Sequence, residues 1–228
     1  MRNESFSPVF VFVCALFCVC LVLSNLLAAK IFQVGGFFLP AAVLVFPISY
    51  ILNDLIAEVW GYRRARLVIW IGFGINFFAA ALGQLAVLLP PAPFWHEAAH
   101  FNYVFELAPR IAAASLAAFL AGSFLNAYVM SRMKVASQGR RFCLRAILST
   151  IAGEGVDSLI FFPLAFWGIL APQDMLPMML AQVSAKTLYE MAVLPLTAHV
   201  VKKVKAYEGA DAFDTGVSYS VWRIGDVA

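Results

Sequence analysis

Residues 46–66 read FPISYILNDLIAEVWGYRRAR, an apolar run interrupted by Asn53, Asp54 and Glu58 and closed by Arg63, Arg64 and Arg66. A helix needs about 20 apolar residues, rising about 1.5 Å each, to cross about 30 Å of hydrocarbon. The arginines beyond the run mark a cytoplasmic end, because short cytoplasmic loops collect Lys and Arg. The polar residues fall inside the crossing, where an ionisable group costs about 2.5–3.5 kcal/mol on insertion scales and so faces a bundle interior. The stretch therefore predicts one span of a multi-helix membrane protein.

The rest of the chain agrees. Of its 228 residues, 63% are hydrophobic and 13% charged, and the mean hydropathy is +0.85. Soluble domains carry about 45–50% apolar and about 25% charged residues. Apolar runs predict six transmembrane helices at about residues 8–29, 37–60, 67–89, 111–130, 147–170 and 175–201, followed by a short cytoplasmic tail, 202–228. The expected fold is all-α, a single polytopic domain without a soluble one. Ala28 and Ala29 mimic a cleavage site, but the first run exceeds the 7–15 residues of a signal h-region by a few residues and more spans follow, so it reads as a retained helix. Pro90, Pro91 and Pro93 end the third span, because Pro cannot continue a helix. The segment 90–106 reads as an interfacial connection.

Orientation follows from charge. Arg63, Arg64 and Arg66, then Arg132, Lys134, Arg140, Arg141 and Arg145, then Lys202, Lys203 and Lys205, lie in alternate connections. The remaining connections carry only Lys30 and Arg110. Both termini are expected in the cytoplasm.

Several functions are disfavoured. Cys14, Cys18, Cys20 and Cys143 have no metal-site spacing, and no metal or cofactor is expected. A soluble basic face for nucleic acid is lacking. No Gly-x-Ser-x-Gly or His-Glu-x-x-His motif occurs, nor a Gly-x-x-x-x-Gly-Lys-Ser/Thr loop, so no catalytic residues are assigned. An intramembrane enzyme is the weaker alternative. A substrate-binding subunit of an ATP-driven uptake complex is another, with the same six-helix size.

Polar residues instead form stripes. Asp54 and Glu58 are four apart, as are Glu154 and Ser158, and Gln182, Lys186 and Glu190. Residues at i and i+4 share a helix face. Asp54, Glu154 and Asp157 fall roughly 10–15 Å from the cytoplasmic edge at about 1.5 Å per residue, and Lys186 falls near the midplane. The candidate substrate-binding residues are Asn53, Asp54, Glu154, Asp157, Gln182, Lys186 and Glu190, with Ser24 and Asn25 from the first span. Glu58 is the weakest member, placed for an interfacial pair with Arg63 or Arg64. The excess of carboxylates over one ammonium points to a ligand cavity rather than a packing device. Tyr50, Phe77, Phe78, Phe161, Phe162, Phe166, Trp167 and Tyr189 accompany the stripes, and together would suit a flat heterocycle with donors and acceptors on its edge. The small residues of span four (Ala112–Ala114, Ala117, Ala118, Ala121 and Gly122) are expected to pack within the chain, with a homodimer contact as the less favoured reading.

The run from Phe46 to Arg63 resembles the second-helix signature of the queuosine precursor transporter family, also called the vitamin uptake transporter family. So do Ser149–Phe162 with Ala165–Gly168, the segment from Lys186 through Tyr189 and Glu190 to Thr197, and the tail Glu208–Asp214. The resemblance covers nearly the whole chain. It implies import of 7-deazaguanine precursors of queuosine, 7-cyano-7-deazaguanine or 7-aminomethyl-7-deazaguanine, for tRNA modification. It also implies a multi-pass protein of the bacterial inner membrane whose partners are that small molecule and the lipid bilayer.

Overall fold

The computed structural model describes residues 6–27, 29–34, 37–105, 109–168 and 172–223. Ala28, Glu106, Leu170 and the chain end 224–228, which the sequence reading touches, lie outside them. Seven α-helices follow in order: α1 (Pro8–Leu27), α2 (Phe46–Trp60), α3 (Tyr62–Leu88), α4 (Ala98–Phe105), α5 (Pro109–Ala136), α6 (Phe142–Phe166) and α7 (Pro172–Glu208). Among the described residues, five helical segments are long and apolar enough to cross a membrane: Pro8–Leu27, Ala41–Trp60, Tyr62–Leu88, Ala113–Ala136 and Phe142–Phe166. Helix α7 has the length, 37 residues, but carries Lys186 and Glu190 in its middle. The architecture is that of a multi-pass helical membrane protein.

Two expectations need correction. Residues 37–40 do not begin the second span. They form strand β2 (Phe37–Pro40), antiparallel to β1 (Ile31–Val34), with Ile31 opposite Pro40 and Val34 opposite Phe37. Ile31, Phe32 and Val34 on one strand and Phe37 and Phe38 on the other suit strand pairing, so the described fold is helical with one small hairpin. A 3₁₀ turn (Ala41–Leu44) then leads into α2, whose first turn holds Pro47 where its missing N–H costs nothing. The connection 90–106 also contains a helix, α4, and the Gln84 side chain donates to the carbonyl of Phe105 at 2.5 Å.

Gly61 separates α2 from α3. Its φ of +85° is open to glycine without strain, and a Cβ there would sit 2.8 Å from the Asp214 carboxylate. Asp214 in turn accepts the Tyr62 backbone N–H at 3.0 and 3.1 Å and the Ser131 hydroxyl. An acid from the far end of the chain thus caps the first turn of α3. The tail runs back over the end of the bundle where α2 meets α3. Ala212 donates to the carbonyl of Val59, Arg66 to those of Ser218 and Ser220, and Trp70 to that of Val221. Phe213 seats against the turn between α5 and α6, where a Cβ on Gly139 would approach its ring to 2.9 Å.

Phe10, Phe17 and Leu21 of α1, Ile56 and Val59 of α2, Ile69 of α3, and Phe119 and Met130 of α5 form the main apolar core. Helices α5 and α6 pack most extensively. They cross at Gly122 and Gly153, where a Cβ on either would lie 2.8 or 2.9 Å from the other's carbonyl oxygen. Small residues permit that approach. Ala114, Ala118 and Gly122, one turn apart in succession, are buried, while Ala113 and Ala117 on the flank are exposed.

Candidate functional site

Helix α2 presents Phe46, Tyr50, Asp54 and Glu58 at successive i+4 positions. Helix α6 presents Thr150, Glu154 and Ser158 in the same way, with Asp157 beside them, and α7 presents Lys186 and Glu190. The three stripes meet. Asp54 is 1% exposed, Glu154 1%, Glu190 3% and Asp157 6%. The Lys186 ammonium donates to Glu154 Oε2 at 2.6 Å and lies 3.8 Å from Asp157 Oδ2. It also stands over the ring of Phe46, 4.0 Å from the centroid, a cation–π contact. Asp54 accepts from the Ser149 hydroxyl at 3.4 Å and faces Glu190. Tyr50 stands among all four carboxyl groups.

Several of these polar atoms have no close hydrogen-bond partner among the described residues: Tyr50 Oη, Asp54 Oδ2, Thr150 Oγ1, Ser158 Oγ, Thr187 Oγ1 and Glu190 Oε2, although Thr150 and Asp54 make longer contacts to Glu190, and Asn126 to Asp54. Buried polar groups are normally paired, since leaving one unmade costs about 1–3 kcal/mol. Such a concentration of open acceptors and hydroxyls marks a place built for a ligand with donors.

The other predicted residues divide. Both amide hydrogens of Asn53 are used between helices, to the Ser123 carbonyl at 3.1 Å and to Asn126 Oδ1 at 2.8 Å, so Asn53 ties α2 to α5 and offers only its oxygen. Gln182 is half-buried one turn before Lys186. Ser24 is buried with its hydroxyl unpartnered among the described residues. Asn25 lies elsewhere. It donates to Asn76 Oδ1 at 2.7 Å and lines a largely apolar cavity of about 300 Å³ with Asn76, Phe77 and Gln84. Phe78 and Trp167 point outward, 62% and 67% exposed, while Phe161, Phe162 and Phe166 pack on one another. Sequence reasoning missed Phe46, Ser149 and Thr150. Their signal was present: Phe46 and Thr150 each lie whole multiples of four residues from Asp54 and Glu154.

Glu58, one turn below Asp54, belongs to a different group. It is 1% exposed rather than interfacial. Arg145 grips both its oxygens, Lys205 donates to Oε1 at 2.5 Å, and Lys134 approaches that oxygen to 3.8 Å while donating to the Glu58 carbonyl at 2.5 Å. Lys134 and Lys205 also reach Asp211 of the tail, at 2.5 and 2.8 Å. Burial would raise the Asp211 carboxyl, but hydrogen bonds from the two lysines outweigh it and hold the group below its ordinary pKa. Among the described residues, no group of His, Cys, Asp and Glu side chains is arranged to hold a metal ion.

The chain is 26% identical over 184 residues, 80% of each chain, to the "Probable queuosine precursor transporter" of Bacillus subtilis (strain 168). It is 31% identical over 147 residues to the "Queuosine precursor transporter" of Escherichia coli (strain K12), covering 63% of this chain and 62% of that one. A "Probable queuosine precursor transporter" of Haemophilus influenzae is 29% identical over 128 residues, 54% of this chain and 50% of that one. No solved structure matches the chain. Residues 40–200 match the family described as "Putative vitamin uptake transporter". The chain belongs to that family, the queuosine precursor transporters, and its role is transport of a small molecule across a membrane.

Proposed function

We propose that this transporter imports 7-cyano-7-deazaguanine or 7-aminomethyl-7-deazaguanine across the bacterial inner membrane, through six spans that leave both termini in the cytoplasm. Helix α7 is the sixth span. Its charged residues are turned onto α2 and α6 rather than toward lipid, which removes most of their insertion cost. The names of the relatives and the polar chemistry of the cluster support the same substrate class.

One observation carries the reading: four buried carboxyl groups gather around Tyr50, two of them on the Lys186 ammonium, with oxygens to spare. A 7-deazaguanine ring donates from its N1–H and 2-amino edge and accepts at its carbonyl. Carboxylates accept only, and ammonium donates only. Glu154 and Asp157 take the guanidine-like edge, Lys186 donates to the carbonyl, and Phe46 and Tyr50 lie beside the ring. Gln182 and the Asn53 oxygen complete the walls. An aminomethyl group would add a cation, which the excess of carboxylates accommodates. The working unit is a monomer or a homodimer, with no nucleic-acid partner.

The test is uptake of labelled precursor by cells unable to make it, with and without this gene. Equal uptake would sink the function. A reporter fused after Ala228 and active only in the periplasm should stay silent, and activity would sink the topology.

A further inference from the structure

We propose that Asp54 and Glu190 form a proton-binding site that couples import to proton entry, separate in task from the Glu154–Lys186–Asp157 group. This rests on the transport reading above and says what drives it.

The cluster divides by its contacts. Lys186 spends its charge on Glu154 and Asp157. Among the described residues, no Lys or Arg lies within ion-pair distance of Asp54 or Glu190. The surroundings can be taken element by element. On α2, Tyr50 and Glu58 flank Asp54, and Glu58 is already neutralised by Arg145, Lys134 and Lys205. On α6 the neighbours are Ser149, Thr150, Glu154 and Asp157, and on α7 they are Lys186 and Thr187. Helix α5 contributes Asn126 at this depth, with Lys134 lower down at Glu58. Helix α1 carries no charged residue, and the arginines of α3, Arg63, Arg64 and Arg66, lie at its cytoplasmic end. Asp54 and Glu190 therefore face each other with no cation of their own.

Two buried carboxylates in that position cannot both stay ionised. Each would lose its hydration, and each would repel the other; a shared proton removes both costs, as in paired-carboxyl sites. Each group keeps an oxygen, Asp54 Oδ2 and Glu190 Oε2, that has no partner among the described residues. Independently, the buried hydroxyl of Tyr50, 4% exposed, stands among the four carboxyl groups with no hydrogen-bond partner among the described residues, and the hydroxyl of Thr150, 2% exposed, reaches Glu190. They can hand a proton to either acid. The step balances: a hydronium on the outer side gives its proton to a carboxylate, leaving water and a carboxylic acid, and the acid returns it to water inside. Protonation removes the repulsion between α2 and α7, and release restores it, so the pair links proton occupancy to the spacing of two spans that also line the substrate site.

The experiment uses the full chain in liposomes with the membrane potential clamped at zero. An outside-acid gradient of two pH units is expected to accelerate uptake of labelled 7-cyano-7-deazaguanine. It can sustain up to about 100-fold accumulation for one proton per substrate, tenfold per unit. Lumenal dye should report proton entry with substrate. In Asp54→Asn and Glu190→Gln the ratio of uptake with and without the gradient should fall to one, while Glu97→Gln, on the exposed connection, keeps the wild-type ratio. Where a variant carries too little flux, substrate-induced proton exchange in weakly buffered detergent decides: present in wild type and absent in both variants supports the site. Wild-type uptake indifferent to the gradient, or both variants keeping the wild-type ratio, overturns it. So does loss of substrate binding in both variants when they remain folded. Failure of wild-type exchange of labelled for unlabelled substrate, at equal pH, would instead sink the transport reading beneath it.

Discussion

Asp54 and Glu58 sit one turn apart on the same face of α2, both 1% exposed, yet they belong to groups of opposite design. Around Glu58 the cations are in excess: Arg145, Lys134 and Lys205 meet Glu58 and Asp211, and every oxygen of Glu58 is taken. Around Asp54 the carboxyl groups are in excess, four to the single Lys186, and several oxygens are open. A saturated ionic group resists change, because removing any member strands a buried charge. An unsaturated one is poised to take a ligand or a proton. The lower group holds the tail against one end of the bundle; the upper group is the candidate site.

The contrast is easiest to break at Glu58. Glu58→Gln leaves Arg145, itself 0% exposed, without its counter-charge. The expected cost is about 3–5 kcal/mol of stability, seen as a lowered melting temperature and loss of monodisperse protein in detergent. Wild-type melting would show that the lower group is not structural.

In the upper group the effect moves from stability to activity. Glu154→Gln and Asp157→Asn should each abolish uptake while expression is kept. Even the loss of one hydrogen bond to a charged group, about 1.5–3 kcal/mol, would reduce affinity by at least about tenfold. Near-normal uptake by both would remove them from the site.

Lys186→Met sharpens the division further. It keeps much of the stem and removes the charge. Loss of substrate binding at every value from about pH 5 to pH 8 would identify the ammonium as a ligand donor. Weakened, pH-shifted transport would show that it only neutralises its carboxylates, the orphaned acid taking up a proton. Wild-type behaviour across that range would mean that the cavity is misplaced.

The smallest effect belongs to Asp211, whose side chain is 49% exposed. Asp211→Asn should cost under about 1 kcal/mol, because solvent screens a pair so placed. The folded state favours ionised Asp211, so its contribution is present above the ordinary carboxylate pKa of about 4 and disappears as the pH falls through the lower folded value. Hydrogen-exchange protection over residues 211–221, corrected for the intrinsic pH dependence of exchange, should therefore fall in acid for wild type and change less for the variant. Identical acid responses would show that Asp211 does not hold the tail.

Hydropathy and i+4 spacing alone determined that the chain is a helical membrane protein, and that Asp54, Glu154, Lys186 and Glu190 lie on inward faces. Both follow from local physics, namely the cost of charge in lipid and the pitch of a helix. Local signals could not say which stripe meets which. Glu58 and Asp54 look alike in sequence, and only the arrival of Arg145, Lys134 and Lys205 from three other helices separates them. Asn25 looks like a site residue until α3 brings Asn76 against it. The tail looks like a polar overhang until Asp214 caps α3 from 152 residues away. Phe37–Pro40 is apolar enough for a span, but pairing with Ile31–Val34 makes it a strand. Partner choice among buried polar groups is a long-range matter, decided where packing brings side chains from distant parts of the chain within a few ångströms.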